Sequence, residues 1–223
     1  MDRSIISQSM EDYLKAIYKL SEQKDQVSTS ALAENMGVTP ASVTNMCKKL
    51  AELNLLEYEP YQGVKLTPAG QKLVLEIVRH HRLIELYLAE ALDVPWDRVH
   101  EEAERMEHVI SEDLEERMAA ALGDPLFDPH GAPIPSRTGT LVQHDSGWLV
   151  DMQDGDKLLV VEVDDEDPAL LRYLGEMGIY PGTEIKLIAS APFNGPLTLN
   201  ISNKELNLGY QAAMSIRVTL QNN

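Results

Sequence analysis

VSTSALAENMGVTPASVTNMCKKLAELNLL, running from Val27 to Leu56, holds two short helices and the turn between them. Ser28-Thr29-Ser30 supplies a cap for a first helix over Ala31–Met36, and Gly37 ends it. Thr39 caps a second helix, with Pro40 in the first turn, where a missing N–H costs nothing. On that helix Val43, Met46, Cys47 and Leu50 share the inner face, while Ser42, Asn45, Lys48 and Lys49 face outward. Two short helices joined by a glycine turn form a helix-turn-helix. Thr39, Pro40 and the small polar residues at the start of the second helix suit base edges, and the lysines suit phosphates. Two short alternating runs follow around Pro60 and Gly63 and predict a β-hairpin, with Tyr61, Gln62 and Lys65 near its tip. The pattern is that of a winged helix-turn-helix; a plain helical hairpin without a DNA role is the bland alternative.

Upstream, residues 7–21 predict a helix capped by Ser9, with Tyr13, Ile17 and Leu20 as its apolar stripe. Asp12 lies one step off that stripe, where it can face a neighbouring helix or serve as a first-turn charge. Downstream, a helix from Thr67-Pro68 to about Ala91 carries His81 and Glu85 at i,i+4. His80 is out of phase and expected to face solvent or DNA. Leu83, Ile84, Leu86, Tyr87 and Leu88 make this helix apolar on more than one side, which predicts a partner subunit.

VHEEAERMEHVIS, Val99–Ser111, reads as one helix continuing to about Gly123. At relative positions 0, 4, 7 and 8 it places His100, Glu104, Glu107 and His108 on one face. Two imidazoles and two carboxylates together repel and lack partners unless a cation joins them; a solvated acidic face is the alternative. Residues 124–140 are rich in Pro and Gly and predict a linker, with His130 as a loop histidine. Beyond Leu141 come short strands at Lys157–Val163, Thr183–Ala189, Leu197–Ile201, Glu205–Leu208 and Ser215–Leu220, plus one helix from Pro168 to Met177. They predict a small β-barrel.

Composition bounds the remaining choices. The 223-residue chain carries a formal charge of −17. Residues 1–78 hold 8 Lys/Arg and 10 Asp/Glu, whereas residues 79–223 hold 11 and 26, so the acidity does not bar DNA binding by the first part. Asn35–Ala51 contains no acid at all. The single cysteine, Cys47, cannot form an intrachain disulfide; it reads as a packing residue and fits a reducing, cytoplasmic compartment. The N-terminus lacks a signal-type apolar core, and no run reaches the roughly 18–20 apolar residues of a membrane helix.

SMEDYLKAIY, HHRLIELYL, VHEEAERMEHVIS and PHGAPIP, on top of the winged helix-turn-helix and the later strands, resemble the diphtheria-toxin-repressor family of metal-dependent repressors. The resemblance covers essentially the whole chain and is nearest to the manganese-responsive type with a C-terminal barrel. It implies an α+β architecture: a winged helix-turn-helix DNA-binding domain (1–72), a helical metal-binding and dimerisation domain with its Pro-rich link (73–140), and an SH3-like barrel (141–223). It implies a primary metal site at Asp12, Glu104, Glu107 and His108. The implied ancillary site uses His81, Glu85 and His100 with an acid from the barrel, best matched by Glu166, with Asp167 as the alternative. Mn²⁺ or Fe²⁺, two per subunit, would be the cofactor, because the iron-responsive members carry Met and Cys where this chain has Asp12 and Glu104, and hard oxygen donors suit Mn²⁺. Lys15 stands where the short manganese repressors have a further glutamate, so their tight two-metal arrangement is not expected. The implied partners are an operator DNA and a second copy of the chain, with no membrane and no small-molecule substrate. The rival classes are a metal-dependent hydrolase built on the same His/Glu cluster and a metal-storage protein. Neither needs an acid-free recognition helix.

Overall fold

The structure is a computed structural model and describes residues 6–21, 26–59 and 62–221. The chain divides into two compact units, residues 1–80 with 135–140, and residues 81–134 with 141–223.

The first unit holds α1 (Gln8–Ser21), α2 (Thr29–Asn35), α3 (Pro40–Glu52), β1 (Leu56–Glu59), β2 (Gly63–Leu66) and the opening of α4 (Pro68–Leu92). Ser28 caps α2 by accepting from the Ala31 amide, and Thr39 caps α3 by accepting from the Ser42 amide. α1 starts one residue earlier than its expected cap, with Ser7 rather than Ser9 receiving the Met10 amide. Leu14, Ile17, Leu32, Val43, Cys47, Leu50 and Leu55 form the core, closed by Val74 and Ile77 of α4. β1 and β2 pair antiparallel from Leu56↔Leu66 to Glu59↔Gly63, and Val27 forms a single antiparallel bridge to Val64. Gly63 has φ +110°, and a Cβ there would lie 2.6 Å from the Val27 carbonyl oxygen. Tyr61 and Pro60, expected at the hairpin tip, lie outside the described residues. His80 is 3% exposed, so α4 buries it rather than presenting it to solvent or DNA.

The second unit takes the rest of α4, then α5 (Val99–Met106) and α6 (Glu112–Ala121). The long helix expected from Val99 is thus two helices. Ser111 adopts an extended backbone and caps α6 by accepting from the Leu114 amide. Glu112, Asp113 and Glu115 complement the positive end of that new helix. Only His100 and Glu104 remain on α5, and Glu107 and His108 occupy the turn after it. The apolar excess of α4 is absorbed at home. Leu83 and Leu86 pack with Ala119 and Ile134, while Ile84 and Leu88 pack with Val99, Ala103 and Met118.

The segment expected as a linker is instead fastened along much of its length. Ile134 donates to the Leu126 carbonyl, Arg82 reaches the Pro133 carbonyl, and Arg79 reaches that of Pro135. The Val163 amide donates to the His130 carbonyl, and Gly131 at φ +88° sits where any Cβ would strike the Val161 carbonyl. Pro and Gly serve this close approach rather than mobility.

The C-terminal portion is an antiparallel six-stranded sheet in the order β3-β8-β4-β5-β6-β7: β3 (Gly147–Trp148), β4 (Lys157–Val163), β5 (Glu184–Ser190), β6 (Leu197–Ile201), β7 (Lys204–Leu208) and β8 (Ile216–Leu220). α7 (Pro168–Glu176) lies between β4 and β5, and α8 (Tyr210–Ala213) before β8. Leu158, Val160, Leu171, Leu174, Leu187 and Leu199 are in its core. No helix among the described residues is long and apolar enough to cross a membrane.

Candidate metal centre and nucleic-acid interface

In the first unit, burial of Val43, Cys47 and Leu50 fixes which side of α3 is free. Thr39, Pro40, Ser42, Asn45, Lys48 and Lys49 are all exposed, and so is Lys65 on β2. The outward face is therefore the one read from the sequence, polar at its start and cationic further along. Asp12 is half-buried on α1 of this unit.

In the second unit, His81 and Glu85 stand one turn apart on α4 and both are buried. His81 Nε2 and His100 Nδ1 each lie 3.0 Å from Glu85 Oε1, and 3.1 Å from each other. Asp165, in the loop between β4 and α7, brings Oδ2 to 3.6 Å from His100 Nδ1. These four donors come from three separate stretches of chain. On the other side of His81, Nδ1 lies 2.5 Å from Glu107 Oε2, and the Glu107 side chain is fully buried. A carboxylate accepts, so His81 donates from both nitrogens, Nδ1 to Glu107 and Nε2 to Glu85; a cation in the cluster would replace the Nε2 proton while Glu107 keeps the one on Nδ1. Glu107 Oε1 lies 3.6 Å from His108 Nε2, and Glu104 Oε1 lies 3.7 Å from His81 Nδ1.

The electrostatics say what this cluster lacks. Burial alone would raise the Glu85 carboxyl, but the charged His81 and hydrogen bonds from His100 and His81 outweigh it, holding the pKa at about 2. Burial also opposes charge on His100, yet the neighbouring Asp165 and Glu85 carboxylates lift its pKa to about 10. Protons on the imidazoles thus supply positive charge that the carboxylates demand. Glu85 Oε2 is buried with no hydrogen-bond partner, an orphaned acceptor that fits a cation and not another carboxylate. A set of carboxylates and imidazoles suits a hard or borderline divalent ion.

The acid that the sheet portion brings to the cluster is Asp165, not the expected Glu166 or Asp167. Glu166, the expected one, is exposed, and its amide donates to Asp164 Oδ1. Asp167, the alternative, caps α7 by accepting from the Ala169 amide. Local turns thus engage Asp164 and Asp167, and the chain direction points Asp165 inward. His130 lies in a turn, as expected of a loop histidine, but does not face solvent. Its side chain is fully buried, its ring stacks on Trp96, and Nε2 donates to the Trp96 carbonyl at 2.8 Å. Asp128, which no sequence pattern singled out, is buried nearby, and burial with the charges of Glu85 and Asp165 raises its pKa well above the usual range. The only available signal for both was the DPHG stretch inside a segment read as a link.

Comparison with known proteins agrees along the chain. Residues 6–64 match the family described as "Iron dependent repressor, N-terminal DNA binding domain", residues 67–136 its "metal binding and dimerisation domain", and residues 149–220 the FeoA domain. The iron-dependent repressor IdeR of Mycobacterium tuberculosis is 28% identical over 220 residues, covering 93% of this chain and 95% of that protein. The diphtheria toxin repressor of Corynebacterium efficiens is 30% identical over 191 residues, covering 80% and 82%. Among solved structures, a manganese-dependent transcriptional repressor in complex with manganese superimposes with a TM-score of 0.89 at 38% identity, covering 95% of this chain and 99% of the other. ScaR with bound Cd²⁺ gives 0.82 at 33% identity, covering 94% and 98%. With a helix-turn-helix, a buried carboxylate–imidazole cluster and this likeness over nearly its whole length, the chain belongs to the diphtheria-toxin-repressor family of metal-dependent transcriptional repressors.

Proposed function

We propose that this repressor senses Mn²⁺, with Fe²⁺ as the competing physiological ion, and shuts off metal-uptake genes by binding their operators as a homodimer. The observation that carries the reading is the convergence of His81, Glu85, His100 and Asp165 on one point, with Glu107 fixing the His81 tautomer. Those four residues would form the ancillary site, Asp165 replacing Glu166. Glu104, Glu107 and His108, together with Asp12 of α1, would form the primary site, so that two sites serve each subunit. The domain bounds 1–72, 73–140 and 141–223 follow the same reading: reader, sensor and sheet domain.

The bound cation supplies concentrated positive charge and nothing else. Without it, the carboxylates of Asp12, Glu104 and Glu107 would repel one another if brought together. A cation held by them would cancel that repulsion and let Asp12 couple the DNA-binding helices to the dimerising ones. In a dimer this sets the spacing of the two α3 helices to one turn of DNA or a multiple of it. Coupling of this kind is worth about 1–3 kcal/mol. The hydrolase alternative is set aside, since the relatives at this similarity are DNA-binding repressors.

Electrophoretic shift of the chain on its own upstream DNA, across a series of buffered metals, tests the reading. DNA affinity should be highest, at matched free metal, in Mn²⁺ or Fe²⁺. Equal affinity in chelator and in saturating Mn²⁺ would end it.

A further inference from the structure

The geometry points to a further divalent-cation site beside His81, Glu85, His100 and Asp165, formed by Glu85, Asp128, His130 and Asp165 and sharing two carboxylates with its neighbour. Its donor atoms all lie within 4.8 Å of one another, and Glu85, Asp128 and His130 are buried. The inference rests on the proposed ancillary site only in that the two would share Glu85 and Asp165.

With the carboxylates ionised, each inward atom of this pocket is an acceptor. Glu85 commits Oε1 to the two imidazoles, leaving Oε2 buried and unbonded. Asp128 commits Oδ1 to the His130 and Ala132 amides, which lock its carboxylate in place and leave Oδ2 buried without a hydrogen bond. The Arg82 guanidinium, at 3.7 Å from Oδ2, offsets part of that charge without bonding it. His130 must carry its proton on Nε2, because that atom faces a carbonyl, which can only accept. The Nδ1 lone pair is therefore turned inward, buried and without a partner, 3.9 Å from Asp165 Oδ2. That separation is too long for a hydrogen bond. Water offers two protons and cannot satisfy the Glu85 and Asp128 oxygens and the His130 lone pair together. A divalent cation satisfies all three. The backbone carbonyl behind His130 is the outer-shell partner that ligating histidines typically have. Three carboxylates with one imidazole favour Mn²⁺ over softer ions.

Such a site would give the chain a carboxylate-bridged pair of cations, tying α4, the 124–134 segment and the β4–α7 loop together. It is tested on the full-length wild-type protein, crystallised with a slight excess of Mn²⁺ and measured at the manganese absorption edge. Two adjacent anomalous peaks sharing Glu85 and Asp165 are expected. A lone peak among His81, Glu85, His100 and Asp165 would overturn the proposal, whereas a lone peak at His130 would support it and refute the neighbouring assignment. Equilibrium dialysis with metal analysis gives a second readout. The wild type should bind three Mn²⁺ per subunit, Asp128→Asn and His130→Ala two, each with thermal melting as a fold control. The spin-coupled manganese signal of a bridged pair should vanish in Asp128→Asn and persist in His108→Ala. An unchanged stoichiometry in a folded Asp128→Asn variant would also overturn the proposal.

Discussion

Glu107 does two jobs with its two oxygens. Oε2 holds His81 in the tautomer that turns Nε2 toward Glu85, while Oε1 lies beside His108. A carboxamide can still accept at one atom, but it carries no charge and offers an N–H where an acceptor is needed. Glu107→Gln should therefore weaken manganese binding at both proposed sites, by about 10–100-fold for the His81 site, the usual cost of losing an orienting partner. His108→Ala should weaken one site and spare the other. Calorimetric titration of both variants separates these outcomes; identical two-site losses in the two variants would refute the division of labour. The buried Glu107–His81 contact could not be read from sequence, since residues 26 apart meet only once α4 and α5 pack.

At the scale of elements, α3 and the α5–α6 pair show opposite relations between pattern and structure. Every α3 residue expected to face outward does so, because its cap, its first-turn proline and its apolar stripe agree. Asn45→Ala should relax base preference by about 1–3 kcal/mol if Asn45 reads a base edge, measured by affinity for operator variants. Lys48→Ala should lower affinity for all sequences alike and flatten the salt dependence. Uniform loss in both would mean that α3 lies differently on DNA. Periodicity alone carries a helix through Val109-Ile110-Ser111, whereas the structure breaks it there because the Ser111 side chain caps α6. Ser111→Ala should destabilise the protein by about 1 kcal/mol in denaturant unfolding, the usual cost of an N-cap. It should also raise the metal requirement, because the turn before Ser111 carries His108 and Glu107.

For the molecule as a whole, the dimer has to be argued from different residues than the sequence suggested. Most apolar side chains of α4 are used internally, Leu92 at its end excepted, while Met106, Val109 and Leu114 remain exposed on the α5–α6 segment, Val109 at 76%. This segment falls within the residues matching the dimerisation domain. A Val109→Glu, Leu114→Glu double variant should sediment as a monomer at micromolar concentration and lose cooperative operator binding, while the wild type sediments as a dimer. A dimeric double variant would place the interface elsewhere.

Local chemistry determined most of the framework: caps, glycine turns and apolar periods are short-range, so the helix-turn-helix, the hairpin and five strands were legible from neighbouring residues. The pairing of His81 with Glu85 was legible too, since i,i+4 spacing groups donors along one helix face, whereas His100 joined them only through what the family resemblance implied. Only the tertiary structure decided what long-range packing decides. It chose Asp165 out of a run of four acids, because turn hydrogen bonds engage Asp164 and Asp167. It also turned a Pro/Gly-rich link into a fastened strap with Asp128 and His130 at its centre, because Gly131 lets that strap meet the Val161 backbone.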